Sequence, residues 1–140
     1  MHDKIGIRSY LPTDEEFIYA CWLNHYKHSS LFGKQIRSEI FYKEHHKLIE
    51  QLLKRSQITI AYPIGDPIII LGFLVMEGTK ADPLIHFTFV KRAFRDMGIA
   101  ETLTQELDLN HATITHYTKD AEWIMDRCPG MVYNPYKVWG

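Results

Sequence analysis

The chain has 140 residues, 46% of them hydrophobic and 24% charged, with a formal net charge of −1. This length holds one domain with a single substantial core, so residues 1–140 are expected to form one unit. The near-neutral charge argues against nucleic acid or anionic membranes as partners, and the longest apolar stretch, Ile68 to Met76, is far shorter than the about 20 residues of a membrane span.

Ile5 to Tyr10 alternates and predicts a first strand. Pro12-Thr13-Asp14-Glu15-Glu16 predicts a capping box, with Thr13 and Glu16 exchanging side-chain bonds at the start of a helix that runs to about Tyr26. Ser29 to Arg37 contains Gly33 and reads as a loop. Phe41, Leu48, Ile49 and Leu52 then mark a second helix over 39–55. Gln57–Tyr62 and Ile68–Glu77 predict two strands of a hairpin around the turn Pro63-Ile64-Gly65-Asp66-Pro67.

Leu84 to Val90 predicts the next strand, with Leu84, His86, Thr88 and Val90 on one face and Ile85, Phe87 and Phe89 on the other. It leads through a short basic loop, Lys91-Arg92, into Arg95-Asp96-Met97-Gly98-Ile99-Ala100 and a helix with Ile99, Leu103 and Leu107 on its packed face. Further expected elements are a strand at 112–117, a short helix at 120–127 stopped by Pro129-Gly130, and a β-like tail around Asn134-Pro135. A strand feeding a helix whose first turn holds Gly98 and Ala100 makes an anion cradle, because the free amides and the positive helix end point at one place.

The order β-α-α-β-β-β-α-β-α-β, with Arg95-x-x-Gly98-x-Ala100 after the fourth strand and Val90 five residues earlier, resembles the GNAT superfamily of acyl-CoA N-acyltransferases. The resemblance covers about 12 to 130 in architecture and 84 to 109 in sequence. It implies an α+β fold, a three-layer α/β/α arrangement around a central, mostly antiparallel sheet. A weaker resemblance, to compact GNAT-type proteins of phages and prophages, rests on Trp22-Leu23, on 45–50 and on Tyr133-Asn134-Pro135-Tyr136.

The resemblance implies acetyl-CoA as acyl donor and no metal. Amides of Arg95, Asp96, Met97, Gly98, Ile99 and Ala100 would hold the CoA pyrophosphate. Pantetheine would lie along the strand near Phe89 and Val90, and a Val90 amide would polarise the thioester carbonyl. Direct attack by an amine needs a base, and His86 is the best candidate, with Glu77 second; the competing reading for His86 is a half-buried histidine satisfied by a neighbour. The segment from Leu84 to Arg95 looks like that of arylalkylamine N-acetyltransferases, which carry two histidines on this strand, although Leu84 stands at the first of those positions here.

The family's usual tyrosine acid falls at Met125, counted from Ala121, so Tyr133 or Tyr117 is the substitute. Cys128 has nothing nearby in sequence to activate it as a nucleophile. His25-x-x-His28 and His45-His46 lack a third ligand at recognisable spacing. Tyr26, His28, Phe32, Tyr42 and His46 are expected to roof the acceptor pocket.

Cys21 and Cys128 form no disulfide framework, and the start Met-His-Asp-Lys lacks an apolar leader, which together suggest a cytoplasmic protein. The short tail after Gly130 leaves an edge that a second copy would cover, suggesting a homodimer. The expected activity is acetyl transfer to a primary amine of a small molecule, or to a protein lysine or N-terminus. The alternative is a GNAT-fold CoA-binding protein with weak or no catalysis. A third reading is an unrelated nucleotide-binding α/β domain.

Overall fold

A computed structural model describes residues 4–139. Strand β1 (Ile5–Ser9) leads through a 3-10 turn into helices α1 (Glu15–Ser29), α2 (Leu31–Gln35) and α3 (Ser38–Arg55). Strands β2 (Gln57–Pro63), β3 (Gly72–Gly78) and β4 (Pro83–Val90) follow as a meander. A 3-10 segment, Arg92–Met97, joins β4 to α4 (Ile99–Thr104), and β5 (Thr113–Ile114), α5 (Lys119–Arg127) and β6 (Val132–Tyr133) complete the order. The strands lie side by side in sequence order; β1 to β4 pair antiparallel, and β5 and β6 add in parallel. The α+β, three-layer architecture expected from the sequence is present.

Both faces of the sheet are covered, which is why Leu71 to Met76 is buried throughout. Phe73 and Val75 point to one core, built with Ile18, Trp22 and Tyr26 of α1 and Phe41, Ile49 and Leu52 of α3. Leu74 and Met76 point to the other, with Ile99 and Leu103 of α4 and Ala121 and Ile124 of α5. Each large side chain so buried contributes roughly 1.5–3 kcal/mol of transfer free energy.

Several boundaries differ from the sequence reading, each for a local reason. Thr13 does not cap α1: the turn before it is 3-10, and the Asp14 carboxylate accepts from the Leu11 amide while gripping Arg8 at 2.8 and 2.9 Å. The expected loop at 29–37 holds α2, because Ser30 Oγ accepts from the Gly33 amide at 2.9 Å. Lys27 Nζ, buried, closes the other end on the carbonyls of Gly33 and Ile36 at 2.7 and 2.6 Å. The strand expected from Ile68 begins only at Gly72, since Asp66 and Pro67 hold the preceding residues in turns that expose Ile68 and Ile69. The strand expected over 112–117 is two residues long, and the tail forms a brief β6 and then a 3-10 turn, Pro135–Trp139.

The departure that matters most for function is a bulge. Val75 lies opposite Phe87 and Met76 opposite Ile85, so His86 has no counterpart on β3. Ile85 and Val90 therefore pack in the α4/α5 core, while Phe87 and Phe89 pack on the α1/α3 side. The strict alternation expected over 84–90 is corrected accordingly: it holds only beyond His86.

Candidate active site at the split between β4 and β5

β5 pairs with β4 only at Leu84↔Thr113 and Ile85↔Ile114, with a last bond from the Thr115 amide to the Ile85 carbonyl at 3.1 Å. The chain then turns away to start α5, where Thr118 Oγ1 accepts from the Ala121 amide. This splits the sheet beside 87–90. A cavity of about 250 Å³ sits in the split, lined by Thr88 and Val90 of β4, Arg95 and Ala100 of the loop and α4, and Asp120 and Trp123 of α5.

Gly98 adopts φ 76°, a left-handed conformation that glycine takes without the penalty other residues meet. The first helical bond runs from the Thr102 amide to the Gly98 carbonyl at 3.0 Å, which makes Ile99, Ala100 and Glu101 the first-turn amides of α4. Ile99 is fully buried by side chain, and Met97 packs on the same core, so these two offer only backbone to a ligand. Arg95 stands at the cavity with its guanidinium 3.6 Å from Asp120. Phe89 packs toward α1, on the opposite side from Val90. The side chain of Asp96 lies outside the described part of the structure.

Asp120 was not singled out from sequence. Burial pushes its carboxyl above the ordinary range against the opposing pull of Arg95 and His25. His25 of α1 faces it with Nε2 4.0 Å from Oδ2, and neither atom has a hydrogen-bond partner among the described residues. Burial lowers His25, with Asp120 pulling the other way.

His86 is fully buried. Its Nε2 lies 2.7 Å from Glu77 Oε2, and Arg55 holds the same carboxylate at 3.2 Å. Its Nδ1 lies 2.9 Å from Thr115 Oγ1. That hydroxyl is 2.9 Å from His116 Nδ1, and His116 Nε2 is 2.9 Å from His45 Nε2. The strand histidine and the second-choice carboxylate of the sequence reading are thus direct partners, in a chain of five residues drawn from β3, β4, α3 and the segment after β5. The other histidines of this chain, His45 and His116, went unrecognised. His45 was read only as half of a His-His pair, and nothing in the spacing of position 116 links it to position 45.

Burial lowers all three imidazoles: His45 to about 4, His116 well below its usual value, and His86 less, because Glu77 pulls it back up. Glu77 would be raised by burial, but the bonds from His86 and Arg55 outweigh this and lower it. A narrow slot lined by His86, His116, Thr88 and Ile124 lies beside the cavity, which Thr88 and Ile124 also line.

Tyr133 does not line the cavity. It sits on β6, 5.4 Å from Tyr117 ring to ring, and its hydroxyl is raised by burial and eased by a bond with Tyr26. Tyr26 in turn packs on His116 and His45, with ring centres 4.7 and 5.3 Å apart. Of the expected roof residues, Phe32 lies over Tyr26 and His45, whereas His46 stacks on Tyr19 and Tyr42 bonds Asn24. Met125, where the family pattern places tyrosine, is half-buried against the α4/α5 core.

No protein-family model matches the chain, and no curated protein sequence matches it. Solved structures do. The GCN5-related N-acetyltransferase of Rhodopseudomonas palustris superposes with a TM-score of 0.58 at 18% identity, covering 87% of this chain and 79% of that one. A Pyrococcus furiosus protein provisionally named an acetyl transferase gives 0.52 at 18%, covering 96% and 88%. A protein of Clostridium difficile 630 described as a possible acetyltransferase gives 0.51 at 15%, covering 93% and 78%. At these identities the likeness is one of fold, and the fold is that of the GNAT acyltransferases.

Proposed function

We propose that the protein is an acetyl-CoA-dependent N-acetyltransferase that transfers the acetyl group directly to a primary amine in a ternary complex. The observation that carries this is the cavity in the β4/β5 split, with the first turn of α4 at one end and strand residues Thr88 and Val90 along its wall. Pantetheine bound there would extend the sheet at the edge that β5 leaves free, and the pyrophosphate would meet the amides of Ile99, Ala100 and Glu101, with Arg95 nearby. The amine nitrogen attacks the thioester carbonyl carbon, the C–S bond breaks, and the CoA thiolate leaves, taking up the proton that the nitrogen sheds as the amide forms. The attacking amine must first lose its proton.

Calorimetric titration with acetyl-CoA tests the donor. Binding is expected, weakened about tenfold or more by Gly98→Val, since that factor is only about 1.4 kcal/mol and a Cβ at Gly98 also strains the left-handed backbone. A wild-type protein that binds no acetyl-CoA refutes the reading. The half-buried Met125 in place of a hydroxyl favours a second reading, a CoA-binding protein with weak chemistry. Saturable acetyl-CoA binding without transfer to any of a panel of small amines and lysine peptides would select it.

A further inference from the structure

We infer that His45, His116, Thr115, His86 and Glu77 form a one-way relay that carries the acceptor's ammonium proton from beneath Tyr26 and Phe32 to solvent at the edge of the sheet. The inference rests on the acetyltransferase reading above. The direction follows from hydrogen counting. Glu77, paired with Arg55, is a carboxylate and can only accept, so His86 must donate from Nε2 across 2.7 Å. A neutral His86 then has a bare Nδ1, which takes the hydroxyl proton of Thr115 at 2.9 Å. The Thr115 oxygen in turn accepts from His116 Nδ1 at 2.9 Å, leaving His116 Nε2 bare to accept from His45 Nε2 at 2.9 Å.

Every link is satisfied with all three rings neutral, the form their burial favours, and the chain has two ends. One is the bare Nδ1 of His45, which makes no side-chain hydrogen bond among the described residues. The other is the part-exposed carboxylate of Glu77. A proton added at His45 Nδ1 lets each donor pass its own proton one link along, and a proton emerges on Glu77. The net change is R–NH3+ to R–NH2 at one end and one proton released at the other, with each of the three rings left in its other tautomer; the rings must shift back before the next turnover, and no bond other than those to hydrogen is made or broken. Arg55 beside Glu77 disfavours keeping the proton there, so it leaves to water. The groups facing the chain are Arg55 at the Glu77 end and Tyr26 at the His45 end, and neither interrupts it. Thr115 is a positioning residue here: it touches no substrate, and its hydroxyl links the imidazoles of His86 and His116.

The test has a spectroscopic and a kinetic arm. Long-range 1H–15N correlation on the histidine rings at pH 7 should show His45 and His86 protonated at Nε2 and His116 at Nδ1. Finding His86 protonated at Nδ1 alone, or His116 at Nε2 alone, overturns the relay. Thr115→Val keeps the shape and removes the link. It should release His116 from the Nδ1–H form and lower kcat for amine acetylation by about tenfold or more, leaving KM for acetyl-CoA within about twofold, and Thr115→Ser should restore both. Unchanged kcat in a Thr115→Val protein with normal melting overturns the relay even if acetyl-CoA binds. Absence of acetyl-CoA binding instead sinks the acetyltransferase reading, and the relay's role with it.

Discussion

Gly72 tests how the strand that walls the cavity is held in place. It opens β3 opposite Val90, and a Cβ built on it would lie 2.4 Å from the Phe89 carbonyl oxygen, 3.2 Å from Ile99 Cγ2 and 3.3 Å from Val90 Cα. Two of these three neighbours are backbone of β4, so Gly72→Ala cannot be relieved by one side chain swinging aside. Strand and helix must part together, at an overpacking cost of about 1–3 kcal/mol. For a domain of this size each kcal/mol lowers the melting temperature by about 3–4 °C, so a fall of roughly 3–12 °C is expected. Because the displaced atoms belong to Phe89, Val90 and Ile99, acetyl-CoA affinity should fall as well, at temperatures where the variant is still folded. Gly65→Ala is the control: its φ is +95°, yet nothing lies within 4 Å of the added Cβ. It should destabilise by backbone strain alone, about 1 kcal/mol, without touching acetyl-CoA binding. Calorimetry for melting and titration for binding separate the two. If Gly72→Ala melts within a degree of wild type and binds normally, the close approach of β3 to β4 does not constrain the site.

Stability should also depend steeply on acid. The folded-state values of His45, His86 and His116 lie below the usual histidine value, so between those values and about 6.5 the unfolded chain binds more protons; the contribution is complete above about pH 6.5 and is lost as the pH falls. His45 alone, lowered to about 4, accounts for about 3 kcal/mol by pH 4, and a urea midpoint constant from pH 7 to pH 5 would contradict this. Lys27→Met should lower stability by about 1–3 kcal/mol, since it strips one buried and one part-buried carbonyl of their donor, and it should raise amide exchange across α2; unchanged exchange at 33–36 would show that the lysine does not hold that helix.

The fold was largely legible because the elements that set it have strong periodicity: α3 repeats its apolar positions, and the sequence from Leu84 to Ala100 carries strand, loop and glycine in one run. The α4 end of the site was legible for the same reason, being local. The remainder was not. A bulge leaves no mark in the alternation of Ile85-His86-Phe87, because His86 can stand on either face until its partners are known. Asp120 and His25, and likewise His45, Thr115 and His116, meet only when α1, α3 and the start of α5 are brought to the same split, and no spacing along the chain encodes that meeting.

The single unpaired residue of β4 has a consequence for how the chain can change. It splits the strand into two stretches of opposite parity, so that 84–85 and 87–90 answer to different rules about which layer each side chain serves. Removing His86 would join the two stretches in regular alternation and leave every remaining side chain on its present layer. The cavity wall at Thr88 and Val90 and the anchor at Ile85 would still share a face. A deletion of the residue between Ile85 and Phe87 therefore costs the strand its histidine but not its layering.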